Sequence, residues 1–296
     1  MERSNVIYST PAGNAAAARG ERSIGAILID AGLLKAEAAE PILRLQREQD
    51  LRFGDAAIQL GLLKKADIEY AMSLQFDYPY LLRGESPLSE NLVAAYAPFT
   101  PQVEALRALR SQLMLRWFDT DISHKALAIV SAERGEGRSF IAANLAIVFS
   151  QLGERTLLID ADMRNPSQHA LFGLDNRAGL SALLTGRGGP EAAQRIPALR
   201  DLSVLPAGAQ PPNPSELLAR PEFTQLLQQL SKEYDVLILD TPATAGNSDS
   251  QTIARCAGGA MIVARKNASR FMRVRSIAEL AIQNSATIVG TVLDDF

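Results

Sequence analysis

Beyond residue 125 the chain alternates short, continuous apolar runs with longer segments whose apolar residues recur every three or four positions. The runs at 126–130, 156–159, 202–205, 236–239, 260–264 and 288–293 are expected as strands, and 140–152, 222–232 and 271–284 as helices. Strands apolar on both faces and separated by helices imply a parallel sheet covered on both sides, with ligands at the strands' carboxyl ends. In the 140–152 helix, Ile141, Leu145, Val148, Phe149 and Leu152 share one face. A further helix is expected over 102–117, with Leu106, Leu109, Leu113 and Trp117 as its apolar stripe and Glu104, Arg107 and Arg110 opposite.

The first quarter repeats itself. Residues 22–46, RSIGAILIDAGLLKAEAAEPILRLQ, align with 51–75, LRFGDAAIQLGLLKKADIEYAMSLQ, at a constant offset. Each copy reads as a short helix, a Gly-marked turn and a second helix. One copy cannot bury its apolar face alone, so two should pack into a small helical domain. Residues 1–20, rich in Ser, Ala, Gly and Asn without periodicity, are expected to be a disordered tail. The divisions are therefore 1–20 tail, 21–80 tandem-repeat domain, 81–100 a proline-bearing linker, and 101–296 the sheet domain. Tyr78, Tyr80 and Tyr96, in or near the linker, are read as packing residues.

Composition narrows the chemistry. Thirty Lys and Arg against 33 Asp and Glu give a formal charge of −3, which argues against a nucleic-acid binder. A single cysteine, Cys256, excludes a disulfide framework and is expected as a small buried thiol; His124 and His169 are read as incidental. No run reaches transmembrane length and no signal segment opens the chain. A cytoplasmic protein is expected, meeting the inner membrane only through a partner.

The stretch Ser131 to Ala146, SAERGEGRSFIAANLA, links the first strand to its helix through a Gly-rich turn. Gly135 and Gly137 let successive backbone N–H groups face an anion, the helix start adds partial positive charge, and the Ser139 hydroxyl can ligate magnesium. Ala132 stands where the strict pattern has its first glycine, and Arg138 where it has lysine. The arginine can fork onto phosphate oxygens but is not a compact ammonium. Two further strands end in aspartate: LLIDADMRNP places Asp160 there with Asp162 and Arg164 following, and YDVLILDTPA places Asp240. Ser139, Asp162 and Asp240 can hold a metal directly or through water, and Asp160 can orient or deprotonate a hydroxyl or a water.

With GEGRS at 135–139, DADMR at 160–164, LILDTP at 237–242, AGAQPPNPSELL at 207–218 and EALRALR at 104–110, residues from about 100 onward resemble the bacterial tyrosine autokinases. The likeness is to the EpsG-type chain-length-determinant kinases of exopolysaccharide clusters. The resemblance implies an α/β P-loop NTPase fold, doubly wound and mainly parallel, preceded by the small all-α tandem-repeat domain. It implies ATP bound by Arg134, Gly135, Glu136, Gly137, Arg138, Ser139 and Phe140, with Mg2+ on Ser139, Asp162 and Asp240. Asp160 and Arg138 would act in catalysis. Glu104, Arg107 and Arg110 would face a neighbouring subunit in a ring, and a membrane chain-length protein would activate the kinase. The last tyrosine is Tyr234, so a C-terminal tyrosine cluster is not expected as the autophosphorylation target. Residues 22–75 resemble the N-terminal domain of type II secretion and type IV pilus ATPases, a version of which binds cyclic di-GMP. Arg52 matches its basic position before Gly54, but Ser23 stands at the equivalent place before Gly25. The alternative reading is an ATP-dependent assembly switch of the MinD/ParA type that phosphorylates nothing, with the N-terminal domain as a possible cyclic di-GMP gate.

Overall fold

The computed structural model describes residues 23–75, 81, 83–84 and 86–295. The tail expected over 1–20, Tyr78 and Tyr80 lie outside the described residues. Two compact units result, Met1–Tyr80 and Leu81–Phe296.

In the first unit, each copy of the repeat supplies two helices: α1 (Ile24–Asp30) and α2 (Ala39–Gln49), then α3 (Phe53–Gln59) and α4 (Lys65–Gln75). Leu28, Ile42, Ala56, Leu63 and Ala71 form its buried core. Ser23 is the N-cap of α1, its hydroxyl accepting from the Ala26 N–H. Arg52 sits at the corresponding position before α3 without a side-chain capping bond, and it is exposed.

The second unit opens with α5 (Val93–Tyr96) and α6 (Pro101–Leu113), the latter continued by a widened turn over Met114–Phe118. There follow β1 (Ala126–Val130), α7 (Arg138–Ser150), β2 (Thr156–Asp160), α8 (Gln168–Leu171), α9 (Leu180–Leu184), β3 (Gln194–Arg195) and β4 (Leu202–Leu205). The chain closes with α10 (Pro214–Ala219), α11 (Pro221–Glu233), β5 (Val236–Asp240), α12 (Asp249–Ala257), β6 (Gly259–Arg265), α13 (Phe271–Gln283) and β7 (Thr287–Asp294). The sheet runs β3-β4-β2-β5-β1-β6-β7, parallel throughout except for the two-residue edge strand β3. Its central strands β1, β2 and β5 are buried at every residue, as their unbroken apolar runs require.

Two expectations are corrected. The stretch 81–100 is not a plain linker. Leu88, Leu92, Ala94, Ala95 and Tyr96 are buried, the Tyr96 hydroxyl donates to the Leu88 carbonyl at 2.8 Å, and Asn144 of α7 accepts from the Ala94 N–H at 2.9 Å. The prolines signalled loop, but the intervening apolar residues give that loop a face to bury. For the same reason α7 is not one-sided: every residue from Ile141 to Ser150 is buried, between the sheet and the covering segments, and of the five residues expected on its apolar face Leu152, beyond the helix, is the exposed one.

Trp117 is buried in the same core, with its indole N–H donating to the Ala126 carbonyl at 3.0 Å and its ring stacked on His124. A Cβ placed on Gly259 would lie 2.5 Å from the Trp117 ring. Gly259→Ala is therefore expected to destabilise the fold by about 1–3 kcal/mol, since neither the strand nor the buried indole can yield cheaply. A lowered denaturation midpoint checks this. Cys256, on α12, is half-buried rather than buried.

Candidate functional site

Three strand ends meet at one place. Leaving β1, the chain turns through Ser131 to Gly137 and enters α7 at Arg138. Gly135 and Gly137 take φ values of 81° and 90°, a region costly for any residue with a Cβ. At Gly137 space is also lacking: a Cβ would fall 2.6 Å from a carboxylate oxygen of Asp294, at the end of β7.

The loop is sewn to its surroundings by its own side chains. Glu136 is buried, its carboxylate accepting from the Glu133 N–H at 2.7 Å and from the Ser269 hydroxyl. Arg265 donates to the Gly135 carbonyl at 3.0 Å, and Arg273 pairs with Glu133. Glu136 therefore serves the site through its backbone only. Arg134 reaches across the mouth to Asn165 Oδ1 at 2.8 Å. Phe140 is half-buried in the first turn of α7.

Arg138 is turned inward. Its Nε donates to the Thr241 carbonyl at 2.9 Å, and its Nη1 to the Glu133 carbonyl at 2.7 Å and to the Ser131 hydroxyl. Burial pulls its guanidinium below the ordinary arginine value, and the charges of Asp240, Asp162 and Glu136 oppose that pull. The sequence suggested a fork onto phosphate oxygens; here the fork spans two loops of the protein itself.

Asp160 and Asp240 face each other as register partners at the ends of β2 and β5, and neither has any exposed surface. Asp160 Oδ2 accepts from the Ser167 and Gln168 N–H groups, both at 2.9 Å, and its Oδ1 from the Asp162 N–H at 3.3 Å. Burial, and then the Asp240 charge, raise the Asp160 pKa well above the usual aspartate value, against the pull of those two N–H groups. Burial likewise pushes Asp240 up to about 6, opposed by the hydrogen bond from Gln168, by the nearby Ser139 hydroxyl and by the Arg138 charge. Asp162 is nearly buried, and its Oδ1 accepts from the Arg164 and Asn165 N–H groups at 3.1 and 2.9 Å. Arg164 itself is committed elsewhere, to Asp249 at 2.7 Å and to Ser215.

Three carboxylates packed together carry more negative charge than Arg138 alone offsets, and Asp240 Oδ1 is buried without a hydrogen-bond partner. Both observations fit a hydrated divalent cation. Among the described residues no three Asp, Glu, His or Cys side chains converge to cage a metal. A cation here would rest on the Ser139 hydroxyl, on Asp240 or Asp162 and on ligand phosphates and water, the usual habit of magnesium.

The sequence thus named residues that the fold gathers: Ser139, Asp160, Asp162, Asp240 and the turn from Arg134 to Arg138. It gave no sign of Gln168, Ser269 or Asp294, which meet the loop from distant segments without a motif, and it offered Thr241 only as part of LILDTP, without a role. The row Glu104, Arg107, Arg110 lies along α6. Glu104 is exposed, Arg107 pairs back onto it at 3.0 Å, and Arg110 donates to the Val148 carbonyl of α7 at 2.7 Å.

Residues 122–294 match the ParA family model, described as the NUBPL iron-transfer P-loop NTPase. Tyrosine-protein kinase YwqD of Bacillus subtilis is 32% identical over 209 residues, covering 71% of this chain and 87% of that protein. Tyrosine-protein kinase wzc of Salmonella typhimurium is 34% identical over 203 residues, which are 69% of this chain but 28% of that much longer protein. The solved kinase domain of the Escherichia coli tyrosine kinase ETK superposes with a TM-score of 0.65 at 33% identity, covering 69% of this chain and 79% of that one.

Proposed function

This chain belongs to the bacterial tyrosine-protein kinase family of P-loop ATPases, and from that membership we propose that it transfers the γ-phosphoryl group of ATP to tyrosine in the control of exopolysaccharide chain length and export. The observation that carries the reading is the convergence of the glycine turn, Ser139 and the buried pair Asp160 and Asp240 at the ends of β1, β2 and β5. Magnesium, bound with ATP, would rest on the Ser139 hydroxyl and Asp240 and would offset the negative charge of the transferring phosphoryl group.

The chain's own residues do the rest. Backbone N–H groups from Gly135 to Phe140 cradle the phosphates, and the Ser139 hydroxyl and Asp240 hold the cation, with Asp162 beside them. Arg138 leaves part of its internal bonding to meet phosphate. Asp160, whose affinity for a proton burial raises, accepts the proton of the attacking hydroxyl once the acceptor segment uncovers it.

Tyr96 is an unsuitable acceptor, being buried and spent on the Leu88 carbonyl. A tyrosine of a membrane chain-length partner, or of a second copy docked at exposed Glu104, suits the reading better. Among the described residues no helix is long and apolar enough to cross a membrane, so contact with the inner membrane is assigned to that partner. Cyclic di-GMP has no comparable support: Ser23 is occupied as a helix cap, which leaves Arg52 as the lone basic residue of the repeated pair. We assign the N-terminal unit to docking.

Incubation with labelled magnesium–ATP and the cytosolic segment of a co-encoded chain-length protein tests this. Label on a tyrosine of either protein is expected. Label only in released phosphate would contradict it and favour an assembly switch.

A further inference from the structure

Gln168 was chosen by no motif, yet it stands at the centre of the site. It is completely buried at the start of α8, eight residues beyond Asp160. Its Nε2 donates to Asp240 Oδ2 at 2.7 Å and to the Ser139 carbonyl at 3.1 Å. Both partners are acceptors, so the amide orientation is fixed: a flipped amide would set oxygen against oxygen. The carbonyl end, Oε1, is then left buried with no donor, and the other oxygen of its partner, Asp240 Oδ1, is in the same condition. Two hydrogen-bonded residues thus each keep an unused acceptor inside the protein. Buried acceptors without partners are uncommon because each costs free energy to desolvate. What both lack is a hydrogen-bond donor, and the water of a hydrated cation donates strongly.

We propose that Gln168 is a positioning residue for the divalent cation of the phosphate site. Its N–H groups lock Asp240 to the first turn of α7, and its Oε1, with Asp240 Oδ1, accepts hydrogen bonds from water on that cation. This rests on the reading in which Ser139 and Asp240 hold magnesium. It gives the 160–168 loop a part in metal binding beyond Asp160 and Asp162, and it couples that loop to the glycine turn through one side chain. Residues that hold and complete a metal's ligands in this way commonly change its affinity by about 10–100-fold when replaced.

The test is equilibrium binding of a fluorescent, non-hydrolysable ATP analogue to the full chain, in excess magnesium and in EDTA. The ratio of the two dissociation constants is the readout. Wild type should bind more tightly with magnesium. Gln168→Met, of similar length but with neither donor nor strong acceptor, should lose about tenfold of that tightening, while binding in EDTA stays within about twofold. A Gln168→Met ratio equal to wild type would overturn the proposal. So would equal weakening in both conditions, the mark of a merely structural role. Should Gln168→Met fail to fold, Gln168→Asn decides by the same ratio, because the shorter amide cannot span Asp240 and the Ser139 carbonyl. A wild-type chain that binds ATP indifferently to magnesium would instead defeat the underlying site reading.

Discussion

Asp240→Asn is expected to cut magnesium-dependent phosphoryl transfer by about 10²–10³-fold and, at the same time, to make the nucleotide-free chain more stable. The two effects have one origin. Asp240 is wholly buried beside Asp160, and the fold supplies too little positive charge for both. That deficit attracts a cation during turnover and is a liability without one. The pH dependence follows with a definite sign. Asp240 rises from 3.8 in its ordinary state to about 6 in the fold. A carboxyl that holds its proton more tightly when folded contributes stability that is complete below the unfolded value and lost as pH climbs through the folded one. Over that range the loss is on the order of 3 kcal/mol, at about 1.4 kcal/mol for each unit. Melting in EDTA should therefore occur at a higher temperature at pH 5 than at pH 7.5. The asparagine variant should flatten that slope and melt above wild type at pH 7.5. A variant less stable than wild type at pH 7.5 would show that Asp240 is compensated in the free chain.

The second large effect is expected at Arg138. Alanine there removes the donor for the Thr241 and Glu133 carbonyls and the Ser131 hydroxyl, all at the inner side of the loop. Orphaned buried acceptors cost about 1–3 kcal/mol each and do not add fully. A net loss of roughly 3 kcal/mol in a urea titration is the expected result, with ATP binding lost as well. Arg138→Lys separates the two roles: one ammonium cannot bridge both loops, but it keeps the charge for phosphate. It should show an intermediate loss of stability and retain ATP binding. An alanine variant as stable as wild type would mean that the loop does not depend on this fork.

The strands were legible because β1, β2 and β5 are buried on both faces: β1 is apolar throughout, and β2 and β5 are apolar at every position before the terminal aspartate except Thr156. Their carboxylates were legible for the same reason, as charges set at the end of apolar runs. The two-residue β3 carries no such signal, and α8, α9 and α10 are too short for periodicity to declare them. In segment 81–100 the prolines and polar residues signalled a loop, whereas the burial of Leu88 and of the apolar cluster at 92–96 depends on the helix they cover. Side-chain direction in the glycine turn was not legible either. Motif spacing places Arg138 at the anion, but whether it faces phosphate or the Thr241 carbonyl depends on a strand more than a hundred residues away. Gln168 belongs to the same class, known only through the atoms it joins.

The account stands or falls on phosphotyrosine. The most direct measurement is its formation with ATP in magnesium and in EDTA, with the cytosolic segment of the membrane partner present, comparing wild type with Asp160→Ala. The account predicts a signal that requires magnesium and vanishes in the variant while the variant still binds ATP. Undiminished phosphotyrosine in Asp160→Ala, or none from a wild type that binds magnesium–ATP, would contradict it.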